Sequence, residues 1–350
     1  MPLIYDFDLP ELRAWLQAHG HPAYRAAQLF TWLYHQKALS FEEMTSLPAA
    51  LRQVLPTQLA LPGARVVVEQ GSEETHKLLV QFPDRAQVEC VAMEMSPTTA
   101  PTFCLSTQVG CAMRCAFCAS TLQGCERNLT AGEMVAQAAL LAARTDRPGN
   151  VVFMGMGEPL LNLRHVVGAI ERFTAAEAYG LSPQRITVPT VGVVPQIREL
   201  AQLNLGVNLA VSLNATRDEQ RRELMPGAAR WTITELLEAC EDFSRLTGGQ
   251  PVTFAYVLLR EVNDFPADAE RLAHLLRPLR HHVNLIPFNP VEHALLHRPG
   301  SERVQAFLHR LRERGINASV RRSKGTDLNA ACGQLRTQAS REPRPDKSGS

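Results

Sequence analysis

The stretch TFCLSTQVGCAMRCAFCAS, residues 102–120, decides how the rest of the chain is read. It begins as a short β-like run, TFCLST, and passes into a loop carrying Cys111, Cys115 and Cys118 in a C-x3-C-x2-C pattern, with Cys104 seven residues ahead of the first. Three thiolates from one short loop can hold three irons of a [4Fe-4S] cubane and leave the fourth iron open to a substrate. The same spacing also suits zinc, with Cys125 or a histidine as fourth ligand, or a cysteine-bearing loop that holds no metal.

Downstream, the β-like runs NVVFMGM, RITVPTV, GVNLAVSL, VTFAYVLL and HVNLIPF follow TFCLST, separated by helical stretches. Thr130 with Glu133 and Thr232 with Glu235 mark helix starts as capping boxes. Such alternation predicts an α/β fold of parallel strands and crossover helices. Six βα units fall short of the eight of a closed barrel, so the expectation is a partial, open barrel with its ligand site at the strand C-termini. Upstream, residues 10–55 show helix-period apolar positions, residues 64–95 read as short strands with PDR at 83–85 as a turn, and SPTTAP at 96–101 reads as a linker. The expected organisation is a small N-terminal α+β accessory domain over 1–95, a barrel over 96–336, and a polar, disordered tail over 337–350.

Composition sets the outer bounds. The chain has 350 residues, 45% hydrophobic and 20% charged, with net charge +1, so a polyanionic partner must be met by a local patch rather than by the overall field. The N-terminus MPLIYDFDLPELR is acidic where a signal peptide is basic, and VAQAALLAA at 135–143 is too short to span a membrane. A cytoplasmic protein is expected. In a reducing compartment its eight cysteines suggest metal binding or catalysis rather than structural disulfides.

The second run, NVVFMGMGEPLLN, places Gly157 and Glu158 at its end, where a glycine admits a ligand to the backbone and a carboxylate can hold an ammonium group. With the cysteine loop, this resembles the radical S-adenosylmethionine (SAM) superfamily. That resemblance implies one [4Fe-4S] cluster on Cys111, Cys115 and Cys118, whose open iron is chelated by SAM and whose electron cleaves SAM to a 5′-deoxyadenosyl radical. The ordered set CLSTQVGCAMRCAFC, GMGEP, TVGVVP, SLNA, NLIPFNP and AACGQL resembles more narrowly the RNA adenine-C2 methyltransferases of that superfamily, over residues 10–336.

The narrower resemblance implies the substrates: an adenosine of 23S ribosomal RNA near the peptidyl transferase centre, and the adenosine beside the anticodon of certain tRNAs. It implies that Cys332 takes a methyl from one SAM, that a radical from a second SAM activates that S-methyl group, and that the methylene adds to the base as a protein–RNA adduct. Glu89 is then implied as the base removing the C2 proton, and Cys104 as the thiolate that releases product by forming a disulfide with Cys332. From pattern alone Glu89 would be an exposed strand residue. The implied SAM contacts are Gly157, Glu158, Ser212, Leu213, Asn214 and Asn289, with Pro189 standing where the family has a serine and Asn214 where many members have histidine. Also implied are an electron donor such as flavodoxin or ferredoxin, and a monomeric enzyme.

Residues 309–324 bring together Arg310, Arg312, Arg314, Arg321, Arg322 and Lys324, a candidate RNA-phosphate patch or else a solvated helix face. His281 and His282 read as surface residues, and Cys90, Cys125 and Cys240 as bystanders. Two rival readings remain: methylation at C8 of the same ribosomal adenosine, and a zinc-stabilised RNA-binding module without catalysis.

Overall fold

The computed structural model describes residues 1–96, 98–291, 294–321 and 331–335. Its strands are β1 (Arg65–Gly71), β2 (Thr75–Gln81), β3 (Gln87–Met93), β4 (Thr102–Cys104), β5 (Gln108–Gly110), β6 (Cys125–Asn128), β7 (Asn150–Val152), β8 (Ile186–Thr190), β9 (Asn208–Ser212), β10 (Val252–Leu258), β11 (His281–Pro287) and β12 (Ala318–Val320). Ten of them form one sheet in the order β1-β2-β3-β4-β7-β8-β9-β10-β11-β12. From β4 to β12 every neighbouring pair is parallel, as a chain of strand–helix crossovers requires. With β1 and β12 at its two ends, the sheet is open.

All six predicted parallel strands are present. A seventh, β12, follows the last long helix, Ser301–Glu313, and pairs with β11. The accessory strands β1–β3 are antiparallel and continue the barrel sheet, because β3 pairs with β4 through Val91↔Cys104. One row of side chains therefore crosses from β2 to β7 as Lys77, Val91, Cys104 and Val152, all on one face.

The expected capping boxes form at Thr130 and Thr232. Helix Ala131–Ala142 is buried on nearly all sides, because the N-terminal unit covers its outer face. There the Gly132 N–H donates to Asp6 Oδ1 at 2.8 Å, and Arg172 reaches the Asp6 carbonyl at 2.9 Å. A Cβ on Gly132 would lie 2.5 Å from that Asp6 oxygen, so only glycine allows the close docking. Among the described residues no helix is long and apolar enough to cross a membrane.

One buried knot fixes the mouth of the first barrel strand. Gln137 accepts from the Ser106 N–H at 2.9 Å and donates to the Ser106 carbonyl at 3.0 Å, like a strand partner supplied by a side chain. The Ser106 hydroxyl donates to the Glu89 carbonyl at 2.6 Å and accepts from the Met156 N–H at 2.8 Å. Helix, accessory strand and the loop after β7 thus meet at one residue. Gln137→Leu strands two buried backbone groups at about 1–3 kcal/mol each. Urea unfolding should lose roughly 2–6 kcal/mol; an unchanged midpoint and slope would show that the knot carries no stability.

Candidate active site

The C-x3-C-x2-C loop is slung between β5 and β6, a two-stranded hairpin separate from the main sheet. Gly110, at φ +76°, enters the loop where a Cβ would sit 1.9 Å from the Gly124 carbonyl oxygen. No other residue makes that turn without moving the hairpin. The three cysteines line one cavity at the strand C-termini. Burial pushes the Cys111 thiol up to about 12, and neighbouring thiols push it further in the same direction. Cys115 and Cys118 are raised for the same first reason. Buried thiols that repel one another's ionised forms suit the cationic core of an iron–sulfur cluster.

The same cavity is lined by Gly157, Glu158, Pro189, Ser212, Asn214, Asn289 and Cys332. Gly157 has φ +107°, and a Cβ there would come within 2.7 Å of the Gln108 side chain, leaving bare backbone at the wall. Glu158 is 2% exposed, and its carboxylate accepts the Leu160 N–H at 3.2 Å and the Val191 N–H at 2.9 Å. Burial raises its carboxyl to about 7, partly offset by these bonds and by the Thr190 hydroxyl. A ligand ammonium group would restore the charged form. Asn289 donates to the Cys332 carbonyl at 3.3 Å while its buried Oδ1 has no partner, an acceptor open to a bound ligand. These features fit SAM.

Two positions serve the wall itself. Asn214 is left-handed at φ +55°, which asparagine tolerates, and its side chain accepts the Val257 N–H at 2.8 Å and donates to the Met225 sulfur at 3.3 Å. Pro189 lies on the wall without a donor, but Thr190 beside it supplies a hydroxyl, spent on Glu158. Sequence reasoning passed over Thr190; the polar residue following Pro189 in VPTVG was its only signal. Leu213 is off the cavity, fully buried in the core, with its N–H on the Ala255 carbonyl at 3.0 Å.

Cys332 reaches the cavity because its segment is tied to the cysteine loop. The Ala119 N–H donates to the Gly333 carbonyl at 2.7 Å, and the Ser120 hydroxyl to the Leu335 carbonyl at 2.6 Å. Gln334 holds the Pro290 carbonyl at 3.0 Å on the other side. An ionised Cys332 would raise both Cys104 and Cys118, so the three sulfurs share one electrostatic neighbourhood. Cys104 sits behind the wall at the end of β4. All eight cysteines are free, so the Cys104–Cys332 disulfide is not a feature of this structure.

Glu89 corrects its strand-pattern reading. It is 3% exposed, with its Oε1 3.1 Å from the buried Lys77 Nζ. The register puts it next to Ser106, one step beyond Cys104 toward the strand C-termini. His281 and His282 are both half-buried, with His282 bonded to Asn284 and Ser319 at 3.1 and 2.8 Å. Within the basic patch Arg310 and Arg314 share Glu270 at 3.2 and 2.8 Å, and Arg312 holds the Ala318 carbonyl at 2.9 Å. Arg321 lines the cavity, while Arg322 and Lys324 lie outside the described residues, as does the expected tail.

The model of the radical SAM superfamily matches residues 105–276, and that of the ribosomal RNA large subunit methyltransferase N-terminal domain matches residues 4–61. A probable dual-specificity RNA methyltransferase RlmN from Rhodopirellula baltica is 41% identical over 95% of this chain and 90% of its own length. A protein of the same name from Symbiobacterium thermophilum is 43% identical over 92% of the chain and 88% of its own. The chain belongs to the RlmN family of radical SAM methyltransferases. A crystal structure of a radical SAM methyltransferase from Sphaerobacter thermophilus superposes with TM-score 0.92 at 45% identity, covering 96% of this chain and 99% of the other. The family brings with it SAM and a [4Fe-4S] cluster, for which the three-thiol loop and the Glu158–Asn289 cavity are the fitting sites.

Glu158 gives this RlmN family member a pH signature. Its folded carboxyl is raised by burial to about 7, so below that pH the free protein holds a proton there, which a SAM ammonium group seated on the carboxylate would displace. SAM affinity of the reconstituted protein should fall up to about tenfold per pH unit below 7 and level off above it. Glu158→Gln should lower the affinity and flatten the profile; calorimetric titration over pH 6–8 showing a flat wild-type profile would refute the assignment.

Proposed function

We propose that this chain methylates C2 of adenosine in 23S ribosomal RNA, and of the adenosine beside the anticodon in tRNAs, through Cys332. The observation that carries the reading is the clamp of the Cys332 segment onto the cysteine loop, with Cys104 in the same electrostatic neighbourhood. Bound at that loop, the cluster supplies the single electron that makes SAM a source of a hydrogen-abstracting radical. The protein's own residues do the rest.

Adenine C2 is an electron-poor carbon and does not attack a SAM methyl directly, so the methyl is first carried on sulfur. The Cys332 thiolate takes it by displacement from one SAM, and a second SAM is consumed in activating it. After the resulting methylene has added to the base and the adduct has returned one electron to the flavodoxin- or ferredoxin-class carrier, Glu89 removes the C2 proton. Lys77, whose Nζ lies 3.1 Å from its Oε1, orients that carboxylate. The Cys104 thiolate then attacks the Cys332 sulfur. The S–S bond forms, the bond from sulfur to the methylene carbon breaks, and that carbon keeps the electron pair and gains a proton to become the methyl group. An external dithiol resets the pair, and a flavodoxin- or ferredoxin-class donor supplies the electron.

Cys332→Ala should abolish methyl transfer with full iron content retained. Cys104→Ala should accumulate a covalent protein–RNA band on denaturing gels; free RNA alone after turnover would remove Cys104 from the release step. Nucleoside mass spectrometry of ribosomal and transfer RNA from a deletion strain should show loss of 2-methyladenosine, restored by the intact chain. Loss of 8-methyladenosine instead would assign the C8 reaction.

A further inference from the structure

Helix Asp218–Leu224 and the turn after it floor the cysteine loop. The Ala116 N–H donates to the Leu224 carbonyl at 2.9 Å, and the Gly227 N–H to the Met113 carbonyl at 3.0 Å. The approach is so close that a Cβ on Gly227 would lie 2.6 Å from Met113 Cα. One turn back on this helix, Arg221 is 1% exposed and is among the largest fully buried side chains. Its guanidinium donates to the neutral carbonyls of Val191 and of Ala228, the latter at 3.1 Å, and its Nε has no partner. Of the charges acting on it, Asp218 comes first and Cys115 second, and the Asp218 carboxylate already accepts the Ile233 N–H at 2.7 Å.

A buried guanidinium bonded to neutral groups is costly unless an anion compensates it. A three-thiolate [4Fe-4S] site is anionic and becomes more so on one-electron reduction. Through a low-dielectric wall a fixed cation stabilises the reduced form more than the oxidised one. Arg221 does not line the cavity, so it acts from behind the cysteine loop rather than by touching SAM. We propose that Arg221 is the buried counter-charge of the cluster and raises its reduction potential, easing reduction by a one-electron donor.

Arg221 is also a strut, since it holds the Val191 peptide whose N–H binds Glu158. The two roles separate experimentally. Reconstituted wild type, Arg221→Gln, Arg221→Lys and Asp218→Asn are titrated with dithionite and mediators, with the reduced cluster read by electron paramagnetic resonance and iron and sulfide counted on the same samples. Arg221→Gln should shift the midpoint to more negative potential, Arg221→Lys should keep it near wild type, and Asp218→Asn, which keeps an oxygen acceptor for Ile233, should shift it the opposite way. An unmoved midpoint in Arg221→Gln, or in Asp218→Asn should the Gln variant not assemble, overturns the proposal. Weakened SAM binding at unchanged potential reduces Arg221 to a strut. The inference rests on the cluster assignment alone, and a wild-type protein without iron and sulfide would show that assignment, not this one, to be at fault.

Discussion

The hydrogen bond from the Ala119 N–H to the Gly333 carbonyl, 2.7 Å long, joins two parts of the chain that the rest of the site depends on joining. One is the loop that carries Cys111, Cys115 and Cys118; the other is the segment that carries Cys332. Gly333 is left-handed at φ +84°, and a Cβ there would lie 3.1 Å from the Phe117 carbonyl oxygen, so the approach needs glycine. On the far side of the cavity Ser106 does the matching work, holding β3, the end of β4 and the loop after β7 in one network. Between these two clamps the strand ends only have to present their residues.

The register across β2, β3 and β4 sets on one sheet the residues to which the proposed release step assigns its chemistry. Cys104 belongs to the first barrel strand, Glu89 and Lys77 to accessory strands that extend the same sheet. Burial pushes the Cys104 thiol up to about 12, with Arg321 pulling in the opposite direction. In the proposed release step a base must therefore take the Cys104 proton before its sulfur can attack.

Much of this was legible in the sequence, for identifiable reasons. The six parallel strands show because buried parallel strands are continuous apolar runs, and the capping boxes at Thr130 and Thr232 are local. The cysteine loop and GMGEP are contiguous, so their chemistry survives without a structure. What escaped was set by tertiary contact. β12 is three residues long beside an arginine run, too short and too polar to stand out. Glu89 alternates like a solvent-facing residue, and only the pairing of β2 with β3 brings Lys77 to it. Arg310 and Arg314 read as free cations because Glu270 lies on a different helix. Leu213 sits among cavity residues in sequence, yet the strand pleat turns it into the core.

The account stands on Cys332 as the carrier of the transferred carbon, and peptide mass spectrometry of the purified, cluster-loaded protein tests it most directly. After incubation with SAM bearing a labelled methyl group, one labelled methyl should be found on the peptide containing Cys332 and on no other cysteine. RNA methylation by a preparation whose Cys332 never carries the label would contradict it.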